Sequence, residues 1–280
     1  MESRPVVASA HRHDAWCIVV TTRLPAPHLL RPIALLALVL FSLGPMLLLV
    51  LQSFAFGWRW PTLWPDTLQL DAWRNVSSGT LGRGLFTSAG LAIATTCAAV
   101  LFALPIARGM ATLPRPWSHI AAALVFLPVA APPIALGAGL HVVALQLGVA
   151  GSWSGVWLAH CVPAVGYATL VLTGVLSTRD ARDEEVARTL GASAVHRWRY
   201  VLLPQLRGAL TEAAAVAFLV SWAQVALTLL VGGGAVRALP IEVLALVRAG
   251  QETEAAVGAV LLVLPAMLAL SALRRGAARV

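Results

Sequence analysis

Six long apolar segments alternate with polar segments along the chain. A bilayer has a hydrocarbon core of roughly 30 Å, which takes about 20 helical residues to cross. The segments of this length are Pro32–Phe56, Leu85–Ala107, Ile120–Leu140, Val156–Leu176, Ala209–Val231 and Ala255–Leu273. The third contains three prolines, so we expect it to be kinked or broken. The pattern predicts an all-α transmembrane fold with six membrane-spanning helices.

One polar segment, residues 185–204, contains start and stop signals for two short helices. The acidic residues at and just before its start favour a helix N-terminus; they are Asp180, Asp183, Glu184 and Glu185. Gly191 suits the left-handed turn that follows a helix, and Pro204 cannot continue a helix with full hydrogen bonding. We therefore expect a helix over Asp180–Leu190, a corner, and a second helix over Ala194–Leu202 that stops before the proline. The alternative is an ordinary solvated loop between spans.

The same segment resembles the signature loop of binding-protein-dependent ABC importer permeases. That loop starts with Glu-Ala-Ala, has a glycine four residues after the second alanine, and ends with an aliphatic residue, any residue, leucine and proline. Here Val186 replaces the first alanine, and the other positions match. The residues that the resemblance assigns to ATPase coupling are Glu185, Val186, Ala187, Arg188, Leu190, Gly191, Val201, Leu203 and Pro204.

The resemblance implies an importer in the bacterial plasma (inner) membrane. Two permeases, identical or homologous, meet in the membrane and share the translocation path. A cytoplasmic ABC ATPase dimer docks onto them, and an extracytoplasmic solute-binding protein delivers the solute. The stretch from Ser221 through Gly232 to Pro240 more loosely resembles permeases of ferric-iron, polyamine and thiamine importers, which suggests a small solute of that type.

The resemblance covers about residues 85–273 and implies the permease core of type I ABC importers. The coupling hairpin lies within this core, at residues 177–208. The remaining regions are a cytoplasmic N-terminal tail at residues 1–31, a first transmembrane helix with an outer loop at residues 32–84, and a cytoplasmic C-terminal tail at residues 274–280.

The composition supports a membrane protein that binds lipid and not nucleic acid. Of its 280 residues, 59% are hydrophobic and 11% are charged, whereas soluble domains have about 25% charged residues. The net charge is +8, and every basic residue is an arginine. The arginines are scattered at the ends of apolar segments, so anionic lipid headgroups are the expected partner.

The sequence predicts no catalytic or metal site. A phosphate-binding P-loop requires a lysine, and this chain has none. We therefore expect no cofactor in this chain, with ATP and Mg²⁺ bound by the partner ATPase. The three cysteines lack the spacing of a zinc site or a disulfide framework, and no serine-hydrolase elbow is present.

Polar residues inside the spans are candidates for function. Ser221, Trp222 and Gln224 lie midway along the fifth span, where they either face the translocation path or form hydrogen bonds between helices. Glu212 lies near the end of the same span, and a salt bridge with Arg207 is its simplest role.

Three other classes of function fit less well. A secondary transporter should have an acidic residue deep in a span, and we find none there. An intramembrane enzyme needs a catalytic set within the spans, and none assembles. A purely structural scaffold leaves the polar segment at residues 185–204 unexplained.

The arginines also predict the orientation, because cytoplasmic segments carry an excess of basic residues. With the N-terminus inside, fifteen of the twenty arginines fall in cytoplasmic segments. The five on the outer side are Arg59, Arg74, Arg83, Arg237 and Arg248. Both termini and the hairpin are therefore expected in the cytoplasm.

Cysteine labelling in intact cells checks this orientation. In a cysteine-free background, Ser193→Cys should resist a membrane-impermeant thiol reagent, whereas Ser77→Cys should react with it. Permeabilised cells provide the control, because both positions should then react. Labelling of Ser193→Cys in intact cells would invert the topology.

Overall fold

The computed structural model describes residues 30–58, 61–178 and 182–277. The chain divides into two compact units, Met1–Met46 and Leu47–Val280. Helix α1 (Leu30–Gln52) begins in the first unit, and every later element belongs to the second. Most of the predicted N-terminal tail, and Asp180, lie outside the described residues.

Four helices are long and apolar enough to cross a membrane, and two bent pairs of helices bring the number to the predicted six if each pair is one span. The single-helix spans are α1, α3 (Thr80–Thr112), α6 (Trp153–Thr178) and α13 (Glu252–Ala277). The third span consists of α4 (Arg115–Ala130) and α5 (Pro133–Gln146), which meet at 103°. The fifth consists of α10 (Arg207–Trp222) and α11 (Ala226–Gly232), which meet at 57°.

The break in the third span follows from its prolines. Ala131 precedes Pro132 and has an extended backbone, with ψ of 138°. A residue before proline is excluded from the helical region by its contact with the proline ring, and Pro132 itself is extended, with ψ of 130°. The break in the fifth span was not predicted, because the sequence has no proline or glycine between α10 and α11.

Short elements also lie outside the spans, and of these only the two helices of the hairpin were predicted. Strands β1 (Ala55–Phe56) and β2 (Thr67–Leu68) pair antiparallel. A helical turn, α2 (Asp71–Arg74), follows them. The hairpin contains α7 (Arg182–Thr189), α8 (Ala194–Arg197), a π-helical turn at Trp198–Leu202 and α9 (Leu203–Gln205). Helix α12 (Leu239–Arg248) lies between the fifth and sixth spans.

Helix α3 lies at the centre of the second unit and contributes to three buried clusters. Near the hairpin, small residues of α3, α6 and α10 pack together, among them Ala103, Ala168 and Ala213. Towards the other end, Leu91 packs with residues of α5, α6 and α11. The third cluster joins α3 to α10, α12 and α13. Small side chains allow such close approach, which is how helices gain packing energy in a membrane.

Helix α12 rests directly on the start of α3. The amide of Leu239 donates a hydrogen bond of 2.8 Å to Ser88 Oγ. Gly84 leaves the space for this contact, because a Cβ built there would lie 2.9 Å from Glu242 Cγ and 3.2 Å from Leu239 Cα. The glycine is therefore required by packing against backbone that cannot move aside cheaply.

Substitution of this glycine tests the packing of α12 on α3. Gly84→Ala should lower the thermal unfolding midpoint of the purified protein in detergent, because overpacking typically costs about 1–3 kcal/mol. Gly90→Ala is the matched control in the same helix, since its Cβ meets nothing within 4 Å. Equal midpoints for the two variants would contradict the packing described.

Candidate functional site

The first half of the hairpin has the predicted helix and corner. Gly191 adopts φ of +80°, in the left-handed region. Its amide donates to the Arg188 carbonyl at 3.0 Å, and the amide of Ala192 donates to the Ala187 carbonyl at 3.0 Å. This pair of bonds is a Schellman motif, which closes a helix with glycine as the left-handed residue. The corner at Gly191 is therefore confirmed.

The second half differs from the prediction that a helix ends before Pro204. Ser193 caps α8 by accepting a hydrogen bond of 3.3 Å from the amide of His196. The chain then stays helical through the π-helical turn at Trp198–Leu202 and through α9, which contains Pro204. A π-helical turn uses bonds to the residue five positions back. The wider turn accommodates the proline, which has no amide hydrogen to give.

Polar side-chain contacts tie α7 to the rest of the second unit. Arg108, near the end of α3, places Nη2 at 2.8 Å from Oε1 of Glu184. Gln205 donates from Nε2 to Oδ2 of Asp183 at 2.7 Å. Neither contact could be predicted from the sequence, because the paired residues are 76 and 22 positions apart.

Large apolar side chains are exposed on the hairpin. Leu190 is 81% exposed, Val195 74% and Val186 56%. Tyr200 is exposed as well. These large hydrophobic side chains stand on a segment whose other residues are mostly polar. We call Val186, Leu190, Val195 and Tyr200 the hairpin patch. Unlike the exposed leucines of the spans, these residues lie outside the apolar helices that cross the bilayer.

The remaining coupling candidates border this patch. Between the two halves of the hairpin lies a shallow cleft, lined in part by Ala187, Val201 and Pro204. Leu203 is half-buried beside it. Glu185 and Arg188 are exposed and line a second, smaller cleft with Glu184 and Arg197. The nine predicted coupling residues thus lie on one continuous hairpin.

The path candidates lie at the break in the fifth span. Ser221 and Trp222 are buried, and Trp222 Nε1 donates to the Leu262 carbonyl of α13 at 2.9 Å. The Trp222 ring also stacks on Phe218. Both side chains thus form hydrogen bonds between helices, which is the alternative to facing the translocation path. Gln224 is half-buried in the break itself.

A hydrogen-bond chain centred on buried His160 joins the two halves of the fifth span. His160 Nδ1 lies 2.9 Å from Ser221 Oγ in α10, and Nε2 lies 2.9 Å from Thr228 Oγ1 in α11. Thr228 donates its own hydroxyl hydrogen to the Gln224 carbonyl at 2.7 Å. Thr228 must therefore accept from Nε2–H of His160. The chain satisfies a carbonyl at the break.

Acidic residues near the spans do not suggest proton coupling. Glu242 in α12 is 97% shielded from solvent, but its Oε1 lies 2.7 Å from Arg237 Nε. Glu212 is exposed. Its expected salt-bridge partner, Arg207, instead donates from Nε to the Pro204 carbonyl at 3.1 Å. Within the described residues, no group of three or more His, Cys, Asp or Glu side chains is arranged to hold a metal ion.

Comparison with known proteins gives consistent similarities. Residues 99–279 match the family described as binding-protein-dependent transport system inner membrane component. The putrescine transport permease PotI of Escherichia coli K12 is 28% identical over 228 residues, which cover 76% of this chain and 78% of PotI. The molybdenum transport permease ModB of Mycobacterium tuberculosis H37Rv is 28% identical over 186 residues, which cover 61% of this chain and 70% of ModB.

Among solved structures, a bacterial ABC transporter involved in the import of the polysaccharide alginate has a similar fold. One of its chains aligns with a TM-score of 0.65 at 17% identity, over 88% of this chain and 95% of that chain. At this identity the likeness concerns the fold alone.

Removing one hydroxyl tests the His160 chain. Thr228→Val preserves the side-chain shape but leaves Nε2 of His160 without its acceptor, which typically costs about 1–3 kcal/mol in a buried site. We expect a lower thermal unfolding midpoint in detergent. Thr211→Val is the control, because its exposed hydroxyl bonds only to the Gly208 carbonyl of its own helix. The description of the chain would be wrong if both variants unfolded at the same temperature.

Proposed function

Because the chain belongs to the family of binding-protein-dependent transport system inner membrane components, we propose that its hairpin is the surface to which the importer's ATPase binds. The chain is a multi-pass permease subunit of an ATP-driven importer in the inner membrane. Such an importer also contains an ATPase and a solute-binding protein.

The hairpin patch supports the proposal most directly. Large exposed apolar side chains on a polar segment mark an interaction site, and Leu190 is the most exposed of the four. Glu185 and Arg188 flank the patch with opposite charges. Charges at the rim of an interface fix orientation more than they add affinity. An apolar anchor with a charged border is what a soluble partner needs for binding in one register.

The corner at Gly191 gives the patch its shape. It joins α7 to the second half of the hairpin, so that Leu190 and Val195 stand on either side of the turn. A Cβ at Gly191 meets nothing within 4 Å in this chain. The space around the corner is therefore open to a partner, which would contact it closely.

The proposed mechanism is alternating access. ATP binds with Mg²⁺ to a separate ATPase subunit and is hydrolysed there, and closure of the ATPase dimer moves the hairpin. Because α6 and α10 flank the hairpin in sequence, this movement reaches two spans at once. Two permeases, identical or homologous, enclose the path, and this chain performs no bond chemistry. The hairpin and both termini then face the cytoplasm.

The break in the fifth span is the proposed point of contact with the path. Gln224 is the candidate that faces it, because its side chain is only half-buried. Ser221 and Trp222 support the path from behind, through their bonds to His160 and Leu262. For the solute, we propose a small molecule of the ferric-iron, polyamine and thiamine type. The match to a putrescine permease supports the polyamine member of that group.

A substitution at the corner tests ATPase docking. Val at Gly191 must adopt φ of +80°, a conformation that costs roughly 1–2 kcal/mol or more for a residue with Cβ. We expect Gly191→Val to remain in the membrane while the co-purified ATPase falls by about tenfold, the factor that 1.4 kcal/mol represents.

Gly208→Val is the matched control for this experiment. Gly208 lies at the start of α10 and is not part of the hairpin patch, and a Cβ built there also meets nothing within 4 Å. Its backbone does not have a positive φ, so this variant should retain the ATPase. Wild-type amounts of ATPase on Gly191→Val would contradict docking at the hairpin.

A further inference from the structure

The coupling helix α7 has an inner side that is distinct from the hairpin patch. Of its eight residues, all of which the structure describes, only Glu184 and Ala187 are partly buried, and the other six are exposed. Positions three apart lie on one side of a helix. This side faces the rest of the second unit, while Val186 and Leu190 are exposed to a partner.

None of the eight residues is buried in an apolar core. The inner side is instead held by a polar contact. The Glu184 side chain is 22% exposed and its partner Arg108 is 38% exposed, at a separation of 2.8 Å. Both groups are thus partly shielded from water, which strengthens their attraction relative to a fully exposed pair. The pair forms a direct ionic contact between the hairpin and the second span.

Arg108 is well placed to transmit a force into the bundle. Its neighbour Ala107 is fully buried in the cluster that α3 shares with α6 and α10. The residue therefore has a backbone fixed by packing and a side chain that reaches the hairpin. The whole of helix α3 has 33 residues, which corresponds to a length of about 50 Å at 1.5 Å per residue. Its other end supports α12 through Ser88.

We propose that Arg108 is a positioning residue for energy coupling, which holds α7 through Glu184 so that movement of the ATPase is transmitted to α3. The proposal rests on the proposed docking of the ATPase to the hairpin. It assigns separate roles to the two sides of α7. The exposed side binds the ATPase, and Glu184 on the inner side passes the movement to the second span.

This division predicts that binding and coupling can be separated. Arg108 is not part of the hairpin patch, so its loss should leave the patch available to the ATPase. The Gln205–Asp183 bond would still connect α7 to the segment that leads into α10. Transmission of movement from the ATPase to α3 would weaken, because the ionic contact between α7 and α3 would be missing.

Charge reversal and charge exchange test the proposal. The variants are Arg108→Glu, Glu184→Arg and the double exchange, in the complete transporter reconstituted in lipid nanodiscs. Two quantities are measured for each: the ATPase retained on purification, and the stimulation of ATP turnover by the transporter's own binding protein, purified with its native solute. Arg115→Glu is the control, because it makes the same change of charge at an exposed residue just beyond α3.

We expect both single variants and the control to retain the ATPase. Stimulation should fall by about fivefold or more in each single variant, within the usual range of coupling between sites, and should be normal in Arg115→Glu. The double exchange should restore it to within about twofold, because the ion pair is re-formed with its charges reversed. A helix that was merely damaged would not recover in this way.

Four results would overturn the proposal. Normal stimulation in Arg108→Glu, or no recovery in the double exchange, would show that the ion pair does not transmit the movement while leaving hairpin docking intact. Loss of the ATPase in both single variants would show that the pair supports binding instead. Absence of the ATPase from the wild-type preparation would refute the proposed docking itself, and this inference with it.

Discussion

Close packing of small side chains among α3, α6 and α10 is the constraint on which the other features depend. Lipid chains are as apolar as the helices, so membrane helices gain little from the hydrophobic effect and must associate through close contact. Alanines such as Ala99, Ala164 and Ala217 provide that contact here. The hairpin connects α6 to α10, and Arg108 extends from α3. All three attachments of the hairpin therefore arise from one packed cluster.

The break in the fifth span shows how the same chain accommodates an irregular backbone. A free carbonyl in hydrocarbon is costly, so irregular segments need partners from neighbouring helices. Here Thr228 of α11 donates to the Gln224 carbonyl, and His160 of the neighbouring α6 bonds in turn to Thr228. Ser221 completes the chain from the other side of the break. A buried histidine that bonds through both ring nitrogens thus connects α10 to α11 across the break where Gln224 is a path candidate.

The sequence predicted the features that depend on local chemistry. The length of apolar segments gave the six spans, Pro132 and Pro133 gave the break in the third, and Gly191 gave the corner of the hairpin. Features that depend on contacts between distant residues were missed. Nothing near Arg108 indicates that it meets Glu184, and the break at Ala223 has no proline to mark it. His160 is a polar residue within a span, but its two partners are 61 and 68 residues away in the sequence.

The central claim is that the hairpin patch binds the ATPase. Site-specific photocrosslinking in living cells tests it directly, with benzoylphenylalanine in place of Leu190, which is 81% exposed. The control position is Leu124 in α4, which is 66% exposed on an apolar helix. We expect irradiation to join the ATPase to the protein through position 190 and not through position 124. Failure of position 190 to capture the ATPase, in cells where the transporter is assembled, would contradict the claim.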